Sequence, residues 1–453
     1  MKALLMLFLS VINGSRDYSE MSFELKTEPL KVLSICTSDS SGGAARAAYR
    51  IHRVVQSFGI RSRMFVKKKG TEDPDVIALD EFLPKNPFYR AFDWIRNKVR
   101  NKWQHYQWGK YPDKTGYYMS DLRSTDICGA LRKWDYDILH LHWVNERFLP
   151  LSQLPKDKPI VWTLHDSWPF CGVCHYFFDC EGYQKECGFC PMLGSHFSSD
   201  LSHTIWQKKE SFYRDLDLHI VTPSRWLGKC AKASGLFSRF PVTVIPNCLD
   251  TNVFCPLPSE IISPRWRNFQ EKRFEKPFLL YGAMNAVTDK IKGFSNLLSA
   301  LQLLEKQGKA DAFELIVFGT DKPLEGIPTS MPIHYVGYVS DVQELVSLYN
   351  LASVMVVPSM TENLSCTIME SLSCGTPVVA FDIGGNSDMI DHQLNGYLAR
   401  ERDDADLAAG ILWCLDHNKN GQLSQNARQK VQGNFTSEVV GKQYADLYRR
   451  VLS

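Results

Sequence analysis

Val354–Phe381, VMVVPSMTENLSCTIMESLSCGTPVVAF, decides how the rest of the chain reads. Val354–Val357 is an apolar run long enough only for a buried strand, and Pro358 closes it. Thr361, Asn363 and Ser365 are each able to cap the helix that follows, and Gly375 and Pro377 end it. Val378–Phe381 is a second buried strand, so the stretch predicts a parallel βαβ crossover. Glu362 lies before the helix and Glu370 inside it. With a helix starting near Ser365, Glu370 sits roughly 7 Å further along the axis, at about 1.5 Å per residue. One acid then stands at the positive helix end and the other on the side of the same cleft. That suits a ligand with a phosphate at the helix N-terminus and hydroxyls beside it, as in a nucleotide sugar.

The chain has 453 residues, which predicts two or three domains, each with its own core. Hydrophobic content of 44% and charged content of 23% are those of a soluble globular protein. A formal net charge of +2 argues against a nucleic-acid partner held by overall charge. Of 13 cysteines, those scattered singly, such as Cys36, Cys248, Cys366 and Cys374, read as small buried hydrophobes in a reducing compartment, so a cytoplasmic location is expected. The apolar run Leu4–Ile12 is shorter than the ~20 residues that span a bilayer, and Asn13-Gly14-Ser15 is a poor cleavage site. Met21 offers a second start, so residues 1–29 are read as an extension outside the fold.

Outward from the deciding stretch, the same strand-and-helix alternation recurs. Lys31–Thr37 is a strand followed by Gly42-Gly43 and a helix rich in small residues. A glycine pair there lets backbone approach a ligand closely, while the missing third glycine and later acid exclude the dinucleotide fingerprint. Asp137–Trp143 and Pro159–His165 are further buried strands, and His165 falls at a carboxyl end, where an open parallel sheet binds its ligands. His219–Pro223 and Val242–Pro246 complete a first domain over residues 30–256, with Ser224 a good helix N-cap. A linker over 257–277 follows, then a second domain over 278–432 that begins with the strand Phe278–Tyr281 and Gly282. Lys292 opens the next helix, a position the helix dipole disfavours unless an anion binds there. Glu314–Phe318 and Ile333–Val336 are strands, Val342–Leu351 is a helix, and a last helix within 433–453 is expected to return to the first domain.

Two segments stand apart. Lys85–Trp103 places Phe88, Phe92, Ile95, Val99 and Trp103 at helical spacing among basic residues, so it either packs on the domain or lies on an anionic membrane surface. The insert 168–191 holds Cys171, Cys174, Cys180, Cys187 and Cys190. Cys174, Cys180, Cys187 and Cys190 are a candidate structural zinc set, with Cys171 and His175 as alternative ligands and reduced thiols packing a loop as the other reading.

Glu362-x7-Glu370 with Ser373-Cys374-Gly375-Thr376-Pro377-Val378-Val379 resembles the acidic signature of retaining glycosyltransferases of family 4. The resemblance runs over about residues 30–450 and implies the GT-B fold, two Rossmann-like doubly wound α/β domains facing across a cleft. It implies transfer of a sugar from a nucleoside diphosphate to a hydroxyl of a glycan or lipid-linked acceptor, in cell-surface polysaccharide synthesis and without a catalytic metal. Carried over residue by residue, Glu362, His165 and Lys292 fall on catalytic positions. Glu370, Gly42, Gly43, Asn363, Leu364, Ser365, Gly282, Gly384 and Gly385 fall on donor-binding ones. Ala283 stands where the family usually has arginine, which leaves Lys290 or Arg46 to supply that charge, and Asp388 replaces a usual glutamate. The lipid-linked acceptors of the family add weight to peripheral membrane contact through Lys85–Trp103. A nucleotide-sugar epimerase and an inactive nucleotide-sugar-binding scaffold share these features; the first would form product without an acceptor and the second would transfer nothing.

Overall fold

The computed structural model describes residues 28–82, 86–112, 127, 131, 133–320 and 329–453, so the expected N-terminal extension lies outside the described residues up to residue 27. In the first domain β1 (Lys31–Ser38), α1 (Gly43–Gln56), β2 (Arg61–Lys68), β3 (Val76–Ala78), α2 (Pro87–Trp108), β4 (Ile138–Leu141), β5 (Ile160–Thr163), α3 (Leu201–Tyr213), β6 (Leu218–Thr222), α4 (Arg225–Ala233) and β7 (Val242–Val244) follow in order. The second contains α5 (Arg267–Lys272), β8 (Phe278–Gly282), α6 (Phe294–Lys306), β9 (Glu314–Phe318), β10 (Ile333–Tyr335), α7 (Val342–Leu351), β11 (Val354–Val357), α8 (Cys366–Ser373), β12 (Val378–Phe381), α9 (Asn386–Met389), β13 (Gly396–Ala399), α10 (Asp404–His417) and α11 (Gln422–Asn434), and α12 (Ser437–Val451) ends the chain. The strands form a seven-stranded sheet, β3-β2-β1-β4-β5-β6-β7, and a six-stranded one, β10-β9-β8-β11-β12-β13. Every pairing within both sheets is parallel.

Parallel sheets need cover on both faces, so their strands are apolar at consecutive positions. In the first sheet Leu33, Ile35, Leu139 and Trp162 pack on one face, and Val32, Ile138, Val161 and Val221 on the other. The second divides the same way, with Leu280, Met355, Val378 and Ala380 opposite Leu279, Val354, Val356 and Val379. Side chains alternate with period two, which fills both layers from one strand. Met355 pairs with Val378, so the deciding stretch is the βαβ unit its residues predict, with Ser365 at the N-cap of α8.

The helix α2 forms where the apolar stripe predicts it. Phe88 (82% exposed), Phe92 (64%), Ile95 (54%) and Val99 (64%) face solvent, so these four do not pack on the domain, while Lys85 and the Trp103 side chain lie outside the described residues.

The last helix crosses back to the first sheet. On α12, Tyr448 Oη bonds His140 Nδ1 at 2.7 Å and Tyr444 Oη bonds Thr163 Oγ1 at 3.0 Å, while His140 Nε2 bonds Thr163 Oγ1 at 2.8 Å. These groups are buried at the centre of the first domain, where a polar group left without its partner costs about 1–3 kcal/mol.

Burial holds the His140 imidazole down to about 3 and that of His52 down to about 4. In the unfolded chain both take up a proton near the ordinary value of about 6.5. Their contribution to stability is therefore complete above about pH 6.5 and is lost as pH falls toward 4, by up to about 1.4 kcal/mol per pH unit for each. Urea unfolding at about pH 7.5 and about pH 5 should show this loss, and His140→Asn should flatten the slope by roughly one histidine's share.

Candidate functional site: the cleft between the switch points

In a doubly wound sheet the crevice for ligands opens where strand order reverses. Here that is between β1 and β4 in one sheet and between β8 and β11 in the other. Gly42 and Gly43 follow β1, His142 and Trp143 follow β4, and His165 follows the neighbouring β5. On the other side Lys292 follows β8, Glu362 follows β11 and Gly384-Gly385 follow β12. A Cβ placed on Gly43 would lie 3.8 Å from Cys366 Sγ, so the start of α1 meets the start of α8 across the gap. Neither start is closed by a side chain. Gly42 (φ +90°) caps α1 and carries none, and Ser365 Oγ pairs with Thr367 Oγ1 at 3.0 Å while accepting no hydrogen bond from the α8 N–H groups. By contrast Asp200, Ser224, Asp341, Asp403 and Thr436 cap α3, α4, α7, α10 and α12 with side-chain hydrogen bonds. Two uncapped helix ends facing one space present free N–H groups and positive partial charge to an anion.

Lys292 and Glu362 meet in this space, Nζ to Oε2 at 3.3 Å, both partly shielded from solvent. Glu362 holds the Lys292 ammonium above its ordinary value against the opposing effect of burial. Tyr176 adjoins the pair, and burial pushes its phenol up to about 12. Lys292 is positioned by backbone: Asp289 accepts from Ile291 N at 3.0 Å, and Met360 N donates to Ile291 O at 2.7 Å. Gly293 then turns with φ +71°, and a Cβ there would fall 1.8 Å from Pro358 O. Arg46, on the first turn of α1, is exposed and acts electrostatically on Cys366.

His165 Nε2 lies 3.2 Å from His142 Nδ1, with the rings stacked at 5.5 Å. Burial lowers the His165 imidazole to about 4 and holds the His142 imidazole well below its ordinary value, so both are neutral. Only one of the facing nitrogens carries the shared proton, and among the described residues buried His142 Nε2 has no partner. At the site His165 is thus a neutral hydrogen-bonding group.

Several residues expected to touch a donor have their side chains engaged within the protein. Asn363 Nδ2 donates to His165 O at 3.1 Å and Leu164 O at 3.4 Å, and its Oδ1 accepts from Ser224 Oγ at 2.8 Å, so it ties the domains together. Glu370 is 2% exposed, with Oε1 accepting from Arg50 Nη2 at 3.1 Å and Oε2 from Tyr349 Oη at 3.0 Å. Leu364 packs in the core of the second domain. Around Gly384 and Gly385 the space for a Cβ is taken by the carbonyl oxygens of Glu362 and Asn363, at 1.8 and 1.9 Å. At Gly282 it is taken by the Phe318 ring. These glycines therefore shape the loops of the site. Asp388 reaches Arg225 in the first domain, its Oδ1 accepting from Nε and its Oδ2 from the backbone N, both at 2.7 Å.

The thiols of the candidate zinc set interact with one another inside the insert. Cys174 and Cys190 share a thiol hydrogen bond, but Cys187 Sγ accepts from Gly172 N at 3.3 Å and Cys180 Sγ from Gly182 N at 3.4 Å. Among the described residues no group of three or more His, Cys, Asp or Glu side chains is already arranged as around a metal ion. The insert is anchored by Lys209, which is fully buried. Its Nζ donates to Trp168 O at 2.5 Å, Cys171 O at 2.9 Å and Gly172 O at 3.0 Å and lies 3.7 Å over the Trp168 ring.

Two doubly wound domains with facing switch points are the GT-B arrangement. Residues 41–253 match the model described as Glycosyltransferase Family 4, and residues 275–417 match that described as Glycosyl transferases group 1. The chain belongs to this glycosyltransferase family. It is 26% identical over 256 residues to the putative colanic acid biosynthesis glycosyl transferase WcaC of Escherichia coli, covering 54% of this chain and 58% of that one. Over 186 residues it is 26% identical to the amylovoran biosynthesis glycosyltransferase AmsK of Erwinia amylovora, covering 35% and 42%. The chain thus spans about half the length of these curated relatives. The solved structure of Anabaena Alr3699/HepE in complex with UDP and glucose superposes with a TM-score of 0.61 at 17% identity, covering 93% of this chain and 99% of that one, which shows a common fold.

Because Gly293 abuts Pro358 while Gly308 (φ +75°) faces open space, two alanine substitutions separate contact from conformation. Gly308→Ala should cost about 1 kcal/mol and Gly293→Ala at least about 2 kcal/mol more, read as unfolding free energies in urea.

Proposed function

We propose that the protein is a retaining glycosyltransferase that moves a hexose-type sugar from a nucleoside diphosphate to a hydroxyl of a saccharide or lipid-linked saccharide, in cell-surface polysaccharide synthesis. The observation that carries this is the pair of uncapped helix starts, α1 and α8, facing each other beside Lys292. A diphosphate placed there meets backbone N–H groups from both domains and one or two cations. The leaving diphosphate gains charge as the sugar departs, so preorganised N–H groups and Lys292 stabilise the transition state more than the ground state. Arg46 supplies the charge that Ala283 lacks. No step is assigned to a divalent metal.

In the resting cleft Lys292 and Glu362 neutralise each other. A bound diphosphate would take over Lys292 and release Glu362 to accept hydrogen bonds from sugar hydroxyls. His165, neutral at pH 7, would contact the sugar without acting as an acid. With attack on the face the diphosphate leaves, the acceptor's proton passes to the departing phosphate and configuration is kept. Glu370, held by Arg50 and Tyr349, would accept from a ribose on the lone pairs those two bonds leave.

Isothermal titration with UDP as probe should show Lys292→Met and Arg46→Ala each weakening binding about tenfold, the share of one charge-assisted contact. Glu362→Gln should bind UDP within about threefold of wild type while losing most sugar transfer, in the manner of a group that acts on the transition state. Unaltered binding in both cation variants contradicts the reading, and product without acceptor favours the epimerase.

The location we propose is the cytoplasmic face of a membrane, reached through α2. No described helix is long and apolar enough to cross one. On α2 the exposed Phe88, Phe92, Trp94, Ile95 and Val99 alternate with Arg96, Lys98 and Lys102, a composition suited to an anionic lipid surface. Vesicles with about a third anionic lipid should sediment the protein and neutral vesicles should not, and Phe88→Asp with Phe92→Asp should lower the bound fraction at least about fivefold.

A further inference from the structure

The cysteine-rich insert brings a second set of polar groups to the cleft that the donor chemistry leaves unused. His175 Nδ1 lies 2.7 Å from Asp166 Oδ2, and both side chains are largely buried. Trp143 Nε1 donates to the same oxygen at 2.8 Å, and Trp168 N donates to Asp166 Oδ1 at 3.0 Å. Burial alone would raise the Asp166 carboxyl, but His175, Trp143 and the Trp168 amide hold it below the ordinary range, so it stays an anion. The loop is fixed at its backbone as well, since His175 O accepts from Ser167 Oγ at 2.7 Å and from Ser167 N at 3.2 Å.

An anionic Asp166 selects the His175 tautomer with the proton on Nδ1, which leaves the Nε2 lone pair as an acceptor. Among the described residues Nε2 has no hydrogen-bond partner. The half-buried Trp143 ring lies 6.1 Å from the imidazole, inclined at 33°. The next residue is Tyr176, which borders Lys292 and Glu362. The group therefore stands on the first-domain side of the cleft, one residue from the pair assigned to the donor.

We propose that Trp143, His175 and Asp166 form the subsite for a saccharide acceptor, with a sugar ring resting on the Trp143 indole and a hydroxyl donating to His175 Nε2. An aromatic face beside one oriented acceptor atom is complementary to a pyranose, which presents C–H groups on one face and hydroxyls at its rim. His175 touches the acceptor, while Asp166 is a positioning residue that acts through His175. No proton is taken by the imidazole. As the acceptor oxygen bonds the anomeric carbon, the carbon–oxygen bond to the diphosphate breaks and the hydroxyl proton goes to the departing phosphate. This subsite rests on the donor reading of the cleft, and the test separates the two.

Two probes are titrated into the full-length protein: UDP by calorimetry, and octyl β-D-glucopyranoside by saturation-transfer NMR with UDP present. In the wild type the glucoside's ring protons should receive saturation. His175→Ala should weaken the glucoside at least about fivefold and leave UDP within about twofold. Asp166→Asn, which frees the other tautomer, should weaken the glucoside about threefold with UDP binding and melting temperature held. Glucoside affinity unchanged in both variants overturns the subsite, as do equal losses for UDP and glucoside. Absence of glucoside contact in a wild type that binds UDP, at up to about 50 mM, also overturns it. A wild type that binds none of UDP, GDP and ADP removes the donor reading, and the subsite falls with it.

Discussion

The segment from Glu362 to Glu370 is tied to the other domain at both ends, and the site exists only because of that. At its start the Asn363 amide spans the gap, donating to the backbone of Leu164 and His165 and accepting from Ser224. At its end Glu370 receives Arg50 from α1. The Arg50–Glu370 pair is almost wholly buried on the carboxylate side, and Tyr349 satisfies the second oxygen. Removing one member of such a pair strands the other charge, at about 3–5 kcal/mol. The two ties set the start of α8 against the start of α1, and every chemical feature of the cleft follows from that registration. Arg225 and Asp388 add a third link further out, where solvent weakens it.

Charges within the cleft are matched by partners. Lys292 faces Glu362, and the Asp166 carboxylate is met by hydrogen bonds from Trp143 Nε1, the Trp168 amide and His175. Beside them His140, His142 and His165 are neutral because burial opposes a proton on any of them. A dianion entering this region meets ammonium and amide groups without a standing excess of negative charge. The glycines hold the geometry by absence: at Gly293, Gly384 and Gly385 a side chain would displace the backbone that carries Lys292, Glu362 and Asn363.

Local pattern made much of this legible. Val354–Val357, Val378–Phe381, Glu314–Phe318 and Val342–Leu351 are continuous apolar or amphipathic runs with clear stops, and they occupy the expected elements. β2 escaped notice because RSRMFVKK mixes charge into a strand that buries Met64 and Val66 on one face and Phe65 on the other. The helix α11 carries polar residues through much of its length, so tertiary packing more than periodicity defines it. The ties across the cleft left no local trace at all. Asn363 meets Ser224 and His165, and Arg50 meets Glu370, across separations of 139, 198 and 320 residues. At the insert, spacing showed that the cysteines cluster but not which amides their thiols accept from, those of Gly172 and Gly182. Asp166 and His175, nine residues apart, became a pair only once the insert folded back on β5.

The central claim is that one phosphate-bearing ligand touches both domains at once. Hydrogen–deuterium exchange read by mass spectrometry, with and without a saturating nucleoside diphosphate from a panel that includes UDP, addresses it directly. The account predicts slowed exchange in two separate peptides together, one covering residues 42–46 at the start of α1 and one covering residues 365–369 at the start of α8. Protection confined to one domain, or absent from both while binding is detected by calorimetry, would contradict it.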